Sequence, residues 1–211
     1  MKNKPLKSSY HHGDLRTTLI NSAIEILNED GLKEVSLRKL AAKVGVSRAA
    51  PYKHFKDKNE LLCALAEKGF RRLHEINKLG FETVSTTEPG KERGKIRDFI
   101  HGYIQFAEEN PELYDLMFGR TIWKNETSTE ELRESAYPCF QFQVSMTEDW
   151  QKQGLLHMTD NALRTSQILW GTVHGIAKLF IDGIYSDINQ REELCDFAVE
   201  MYLKKKNEET C

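Results

Sequence analysis

Arg38 and Arg48 carry the side chain able to bond both acceptors of a guanine edge at once. Arg38 stands two residues after Ser36, and Arg48 directly follows Ser47. Between them Leu37, Leu40, Ala41 and Val44 fall at offsets that put them on one face of a short helix, capped by Ser36 and stopped by Gly45. Gly45-Val46 reads as a tight turn. Ser47 then caps a second short helix through Arg48, Ala49, Ala50, Pro51, Tyr52, Lys53, His54 and Phe55. Pro51 is compatible with that helix if it lies in the first turn. Two short helices about a glycine turn are a helix-turn-helix candidate, whose second helix enters the major groove by its N-terminal residues. Ala49 and Ala50 are small enough to approach base edges, and their methyls can touch thymine methyls. Tyr52, His54 and Lys58 can donate to phosphates, as can the backbone N–H groups behind Ser36 and Asp57. The competing reading of this spacing is a helical hairpin with a solvated basic face.

The charge distribution favours the polyanion reading. The 211 residues carry 30 Lys and Arg against 32 Asp and Glu. Residues 1–60 hold twelve basic and seven acidic groups, and the rest hold eighteen and twenty-five. A basic front on an acidic body suits a molecule that meets DNA with its front alone.

A second candidate chemistry lies in the aromatics of the later chain. Pockets between helices combine apolar walls with a few polar groups. Phe99, Tyr103, Phe118, Trp123, Phe140, Trp150, Trp170 and His174 are the candidate ligand-lining residues. Gln141, Gln143, His157 and Thr172 are further polar candidates; the bland alternative for most of the aromatics is a packed core. His174, one turn after Trp170, is either a hydrogen-bonded structural histidine or an effector-side group that changes charge near neutral pH.

Other chemistries lack their signatures. The sequence shows no glycine-rich phosphate loop, no G-x-S-x-G, no H-E-x-x-H and no metal-ligand spacing, so no catalysis, metal or cofactor is expected. His11-His12 in the N-terminal tail do not make a closed site. Cys63, Cys139, Cys195 and Cys211 form no C-x-x-C pair and are expected to be reduced thiols in the cytoplasm. The longest stretches without a charged residue are 13 residues, 135–147 and 165–177. A bilayer span needs about 20 mostly apolar residues, so no membrane partner is expected. Residues 1–16 have no apolar core of a secretory signal.

The elements that must position these groups all read as helices. Leu15, Leu19, Ala23 and Leu27 give the first, after Asp14 and before Gly31. Asp57 and Glu60 form a capping box opening a helix with a stripe through Leu61, Leu65, Gly69, Leu73 and Ile76. Residues 80–94 read as a linker. Helices follow from Ile96 and from Pro111, then a loop over 119–128 and a long helix over 129–153 bent by Pro138. Residues 160–187 are apolar on most sides and so must be covered nearly all round. A last helix runs over 190–206. The fold class is all-α, about nine helices: a head at 10–76 with the helix-turn-helix at about 36–55, a connecting segment at 77–94, and a body at 95–206.

Residues 37–62, LRKLAAKVGVSRAAPYKHFKDKNELL, with the lead-in from Ala23 to Gly31, closely resemble the DNA-binding domain of the TetR family of bacterial transcriptional regulators. The opening Tyr10-His11-His12-Gly13-Asp14-Leu15-Arg16 and the segment Trp170-Gly171-Thr172-Val173-His174-Gly175 are similar to a subset of that family with a Trp-His-Gly motif. The resemblance implies a three-helix head, a helical effector-binding body and a homodimer. It places Ser36, Arg38, Arg48, Ala49, Ala50, Tyr52, Lys53, His54 and Lys58 at DNA-contact positions, with Ser47 heading the reading helix. Pro51 departs from the pattern, standing where many members have a larger aliphatic residue. The expected function is a repressor on a palindromic double-stranded operator, released by an unknown small-molecule effector. The alternatives are a ligand-independent DNA-binding protein or an enzyme using the aromatic body. The expected dimer forms through helices 160–187 and 190–206, where Gly171 and Gly175 share a face.

Overall fold

Leu19, Ile20, Ala23, Ile26 and Leu27 recur at helical spacing, and they are the residues that α1 (Leu15–Asp30) buries. The structure is a computed structural model that describes residues 15–82, 91–124, 127–156, 161–185 and 187–203. Helix α1 stops at Gly31, whose φ of 82° few other residues adopt. Helix α2 (Leu37–Val44) starts where the Ser36 hydroxyl accepts the Lys39 N–H at 3.2 Å. It ends at Gly45 in the left-handed region, from which the Val46 N–H reaches back to the Ala41 carbonyl at 3.0 Å.

Helix α3 (Lys58–Glu82) is 25 residues long, about 37 Å at 1.5 Å per residue. Asp57 caps it, its Oδ1 accepting the Glu60 N–H at 2.9 Å, while Glu60 Oε2 reaches one residue past the reciprocal partner of a capping box to accept the Lys56 N–H at 2.7 Å. Leaving the head, α3 packs against α4 (Lys91–Glu109), α5 (Pro111–Phe118) and α7 (Glu130–Lys152). The rest of the body is α6 (Arg120–Trp123), α8 (Ala162–Ile181) and α9 (Ile188–Tyr202). No ladder of strands forms among the described residues; one isolated antiparallel bridge pairs Leu156 with Leu203.

Two boundaries and the covering of one helix differ from the sequence reading. The connecting segment shrinks, because α3 continues to Glu82 and α4 begins at Lys91. The expected loop over 119–128 contains α6, pinned by the Trp123 indole N–H donating to the Met117 carbonyl at 2.6 Å. Helix α8 covers only one side of itself within the chain. Thr165, Ser166, Leu169, Val173, Ile176 and Ala177 are buried, while Leu163 and Ile168 face solvent. Helix α7 runs through Pro138 as one element.

One continuous apolar core extends from Leu19 in α1 to Leu203 beyond α9. Head and body therefore share their packing. Gly69 marks a close approach between helices: a Cβ there would meet Met117 Sδ in α5, with Met117 Cγ at 2.9 Å.

Candidate nucleic-acid interface and ligand cavity

The second element of the helix-turn-helix candidate forms, but not as the expected helix. Ser47 to Ala50 make a turn, and Pro51–Lys53 a single turn of 3-10 helix. Pro51 is the physical reason. In an α-helix capped by Ser47, residue 51 is the first whose N–H would bond the cap carbonyl, and proline has none. The Ser47 carbonyl instead accepts the Ala50 N–H at 3.0 Å, followed by Lys53 to Ala50 at 3.2 Å and His54 to Pro51 at 3.0 Å; the first four-residue bond comes only at Phe55, whose N–H also reaches the Pro51 carbonyl at 3.0 Å. Buried Pro51 and Phe55 anchor the element, and Ser47, Arg48, Ala49, Tyr52 and Lys53 are exposed on it. Ala50 and His54 are half-buried, and Arg38 is exposed near the start of α2.

Ion pairing sorts the basic residues of the head. Lys39 bonds Asp30 and Glu34, each at 3.0 Å, and Lys43 bonds Glu25 and Glu29, each at 3.2 Å. Hydrogen bonds to these carboxylates, led by Glu34 for Lys39 and Glu25 for Lys43, hold both ammonium groups above the usual lysine range. Lys58 Nζ donates to the carbonyls of Leu32 at 3.1 Å and Lys33 at 3.4 Å, clamping the start of α3 to the α1–α2 connection. Arg38, Arg48 and Lys53 make no ion pair with any described residue. Lys33 and Lys56 are likewise without an ion pair among the described residues, so Arg38, Arg48 and Lys53 are among the cations left for an external anion.

In the body, residues of α3 through α8 line a cavity of about 480 Å³ that is partly open to solvent. Tyr103, Phe118, Trp123, Phe140 and Trp170 line it, five of the eight residues expected from the sequence. Phe99 and Trp150 do not. They pack on each other in the core, ring centroids 6.0 Å apart, with Trp150 fully buried. Their aromatic character served packing, which spacing alone could not separate from lining. His174 is also displaced from the wall. Its Nδ1 lies 2.6 Å from the Tyr114 hydroxyl, which donates to the Tyr103 hydroxyl at 2.9 Å, where the Trp170 indole N–H also donates at 2.9 Å. His174 thus reaches the wall through a chain of hydrogen bonds. Burial, and secondarily the Lys178 charge, hold its pKa below the usual histidine value, against the opposing pull of Asp115. Burial also keeps both phenols protonated.

Residues 96–202 match the family model described as "Tetracyclin repressor-like, C-terminal domain", and residues 19–65 match "Bacterial regulatory proteins, tetR family". The chain belongs to the TetR family. It is 42% identical over 62 residues to the class D tetracycline repressor protein of Escherichia coli, a match covering 29% of this chain and 28% of that protein. The chain thus spans little more than a quarter of the length of that relative. It is 27% identical over 161 residues to the nucleoid occlusion factor SlmA of Cronobacter sakazakii, covering 73% and 77% of the two chains. A solved structure of a protein of unknown function from Rhodococcus sp. RHA1 superposes with a TM-score of 0.78 at 30% identity, covering 94% of this chain and all of that one.

Within this TetR-family body, sequence reasoning missed the contribution of α3. Phe70, Leu73 and Asn77 line the cavity at offsets 0, 3 and 7. The available signal was Asn77, a polar residue on an otherwise apolar helical face. Of the polar candidates, Gln143 lines the cavity, Gln141 is exposed, and Thr172 bonds the Tyr202 hydroxyl at 2.6 Å; His157 lies outside the described residues, as do Tyr10 to Asp14 and Cys211. Cys63, Cys139 and Cys195 are buried free thiols. Burial pushes Cys139 up to about 12 and Cys195 up to about 11, which leaves them protonated and unreactive. No described helix is long and apolar enough to cross a membrane.

Proposed function

We propose that this protein is a DNA-binding transcriptional repressor that a small molecule in the body cavity releases from a palindromic operator. Arg38 and Arg48 read base edges, with Ser47, Ala49 and Ala50 allowing close approach. Tyr52, Lys53, His54 and the N–H groups behind Ser36 and Asp57 hold phosphates. Lys58 is the weakest member of the set, since two carbonyls already occupy its ammonium. The protein binds and releases; it catalyses no reaction and is expected to work in the cytoplasm.

The observation that carries this reading is the path of α3. One helix starts at the Asp57 cap behind the reading turn and supplies Phe70, Leu73 and Asn77 to the cavity wall. A ligand that displaces those side chains shifts the helix beneath the head. Such coupling between two sites is what effector control requires. A homodimer supplies the second reading head. Its surface is the uncovered side of α8, with Ile168, Gly171 and Gly175, together with Phe197 and Met201 of α9, which are 64% and 63% exposed.

Selection from random DNA, followed by titration of the selected site, tests the proposal. A symmetric consensus with half-sites about 34–36 Å apart, or a near multiple, is expected. Recovery of no consensus removes it. The similarity to a nucleoid occlusion factor favours a second reading, in which the protein holds DNA without effector control. Operator affinity that stays constant when a cavity ligand is bound selects that second reading.

A further inference from the structure

We infer that the cavity takes an uncharged, largely aromatic or aliphatic molecule that donates one hydrogen bond to Asn77. The inference rests on the proposed role of the body as an effector domain and specifies the chemistry of that effector.

The wall decides the charge. Among the described residues that line it there is no Asp, Glu, Lys, Arg or His. Cys139 and Tyr103 are the lining groups that could ionise from within the core, and burial keeps both protonated. A carboxylate or ammonium held against the inner wall, beside Asn77 and Tyr103, gives up its hydration and meets no counter-charge from the described lining residues, so it is disfavoured there. At about 480 Å³ the volume suits a small organic molecule.

The polar groups decide the functional group. Most are already engaged with the protein. The Trp170 N–H donates to Tyr103, whose oxygen also accepts from Tyr114. Gln143 Nε2 donates to the Ser166 carbonyl at 3.4 Å. Asn77 differs. It lines the cavity, is only 3% exposed, and its Oδ1 has no hydrogen-bond partner. No hydrogen bond joins its side chain to any described residue. Buried amide oxygens are almost always satisfied. As placed, that oxygen is turned away from the open space, but the terminal torsion of asparagine is broad and roughly two-fold, so rotation of the amide about it turns the carbonyl to a donor in the cavity. A ligand hydroxyl or N–H supplies that donor.

Four matched probes test this by calorimetric titration of the full chain: 2-naphthalenemethanol, 2-methylnaphthalene, 2-naphthoate and 2-naphthylmethylammonium. The alcohol should bind about tenfold more tightly than the methyl compound, the usual upper worth of one net hydrogen bond. Both ions should bind at least about a hundredfold more weakly than the alcohol. Asn77→Leu should abolish the alcohol's advantage while still binding the methyl compound. Equal affinity of alcohol and methyl compound in the unaltered protein overturns the role of Asn77, and needs no variant to fold. An ion binding as well as the alcohol overturns the uncharged class, and binding of none of the four overturns both. DNA selection without probe keeps the two proposals apart. A chain that reads an operator but prefers naphthoate loses this inference and keeps its regulatory role. A chain that prefers the alcohol but selects no DNA keeps the cavity chemistry and loses the regulator.

Discussion

His174 sits where a proton would be costly. Half-buried, it faces Tyr114 and Trp170, with Lys178 adding repulsion and Asp115 a partial counterweight. Its pKa in the folded protein is lowered from the ordinary value of 6.5. Below 6.5 the unfolded chain therefore takes up a proton that the folded chain refuses, and stability falls as pH falls through that window. His174→Asn keeps a polar group near the Nδ1 position without the titration. The Tm of the unaltered protein should drop more than that of the variant between about pH 7.5 and about pH 5.5. Parallel Tm profiles would show that His174 does not contribute to the acid side. Arg48 supports a different prediction at the same scale. It is exposed on the reading turn and free of ion pairs with described residues. Arg48→Ala should relax preference at one symmetric pair of operator positions by roughly 1–3 kcal/mol per half-site. An unchanged consensus of unchanged stringency in DNA selection removes Arg48 from base reading.

At the scale of elements, local chemistry was legible and tertiary choice was not. Ser36, Gly45 and the Asp57–Glu60 pair act within four residues of themselves, so their caps could be read from spacing. Pro51 shows the limit. Whether it is harmless depends on counting from the cap, and as the fourth residue after Ser47 it removes the first α-helical hydrogen bond. Pro51→Ala restores an N–H at that position. Amide exchange at residue 51 should then be slowed by a bond to the Ser47 carbonyl; exchange at the free-chain rate would mean that something other than the proline sets the turn. In the body, Phe99 and Phe118 look alike in sequence, yet one packs against Trp150 and the other lines the cavity. That division is made by neighbours distant in the chain. Gly69 is a similar case, seen as a stripe position but needed for the approach of α5. Gly69→Ala gains helix propensity of about 1 kcal/mol but overpacks against buried Met117, a cost of about 1–3 kcal/mol. A net loss of up to about 2 kcal/mol should appear in urea unfolding; a gain would show that Met117 yields freely.

At the scale of the whole molecule, the proposed regulation depends on how two copies meet. A Cβ at Gly171 or Gly175 would meet nothing within 4 Å in the protomer, so this face of α8 does not serve the chain's own core. Gly175→Trp should leave the fold intact, break the dimer in light scattering, and reduce operator binding to the micromolar or weaker affinity typical of non-specific contacts. A variant that stays dimeric moves the interface elsewhere. Removing α9 is a poorer test of the same point, because Cys195, Ala198, Val199 and Tyr202 belong to the protomer core and Arg191 bonds Glu108 of α4 at 3.0 Å.

The continuous core from α1 to Leu203 bears on what an effector does in the absence of DNA. Because α1 packs on α5 and α3 crosses from head to body, the two halves should open to solvent as one cooperative unit. Saturating the cavity at about a hundred times Kd adds about 2.7 kcal/mol to that unit. The added protection should register at the amides of Ala23 and Leu27 in the head, far along the chain from the cavity wall, so that hydrogen exchange in α1 becomes a readout of a molecule bound in the body.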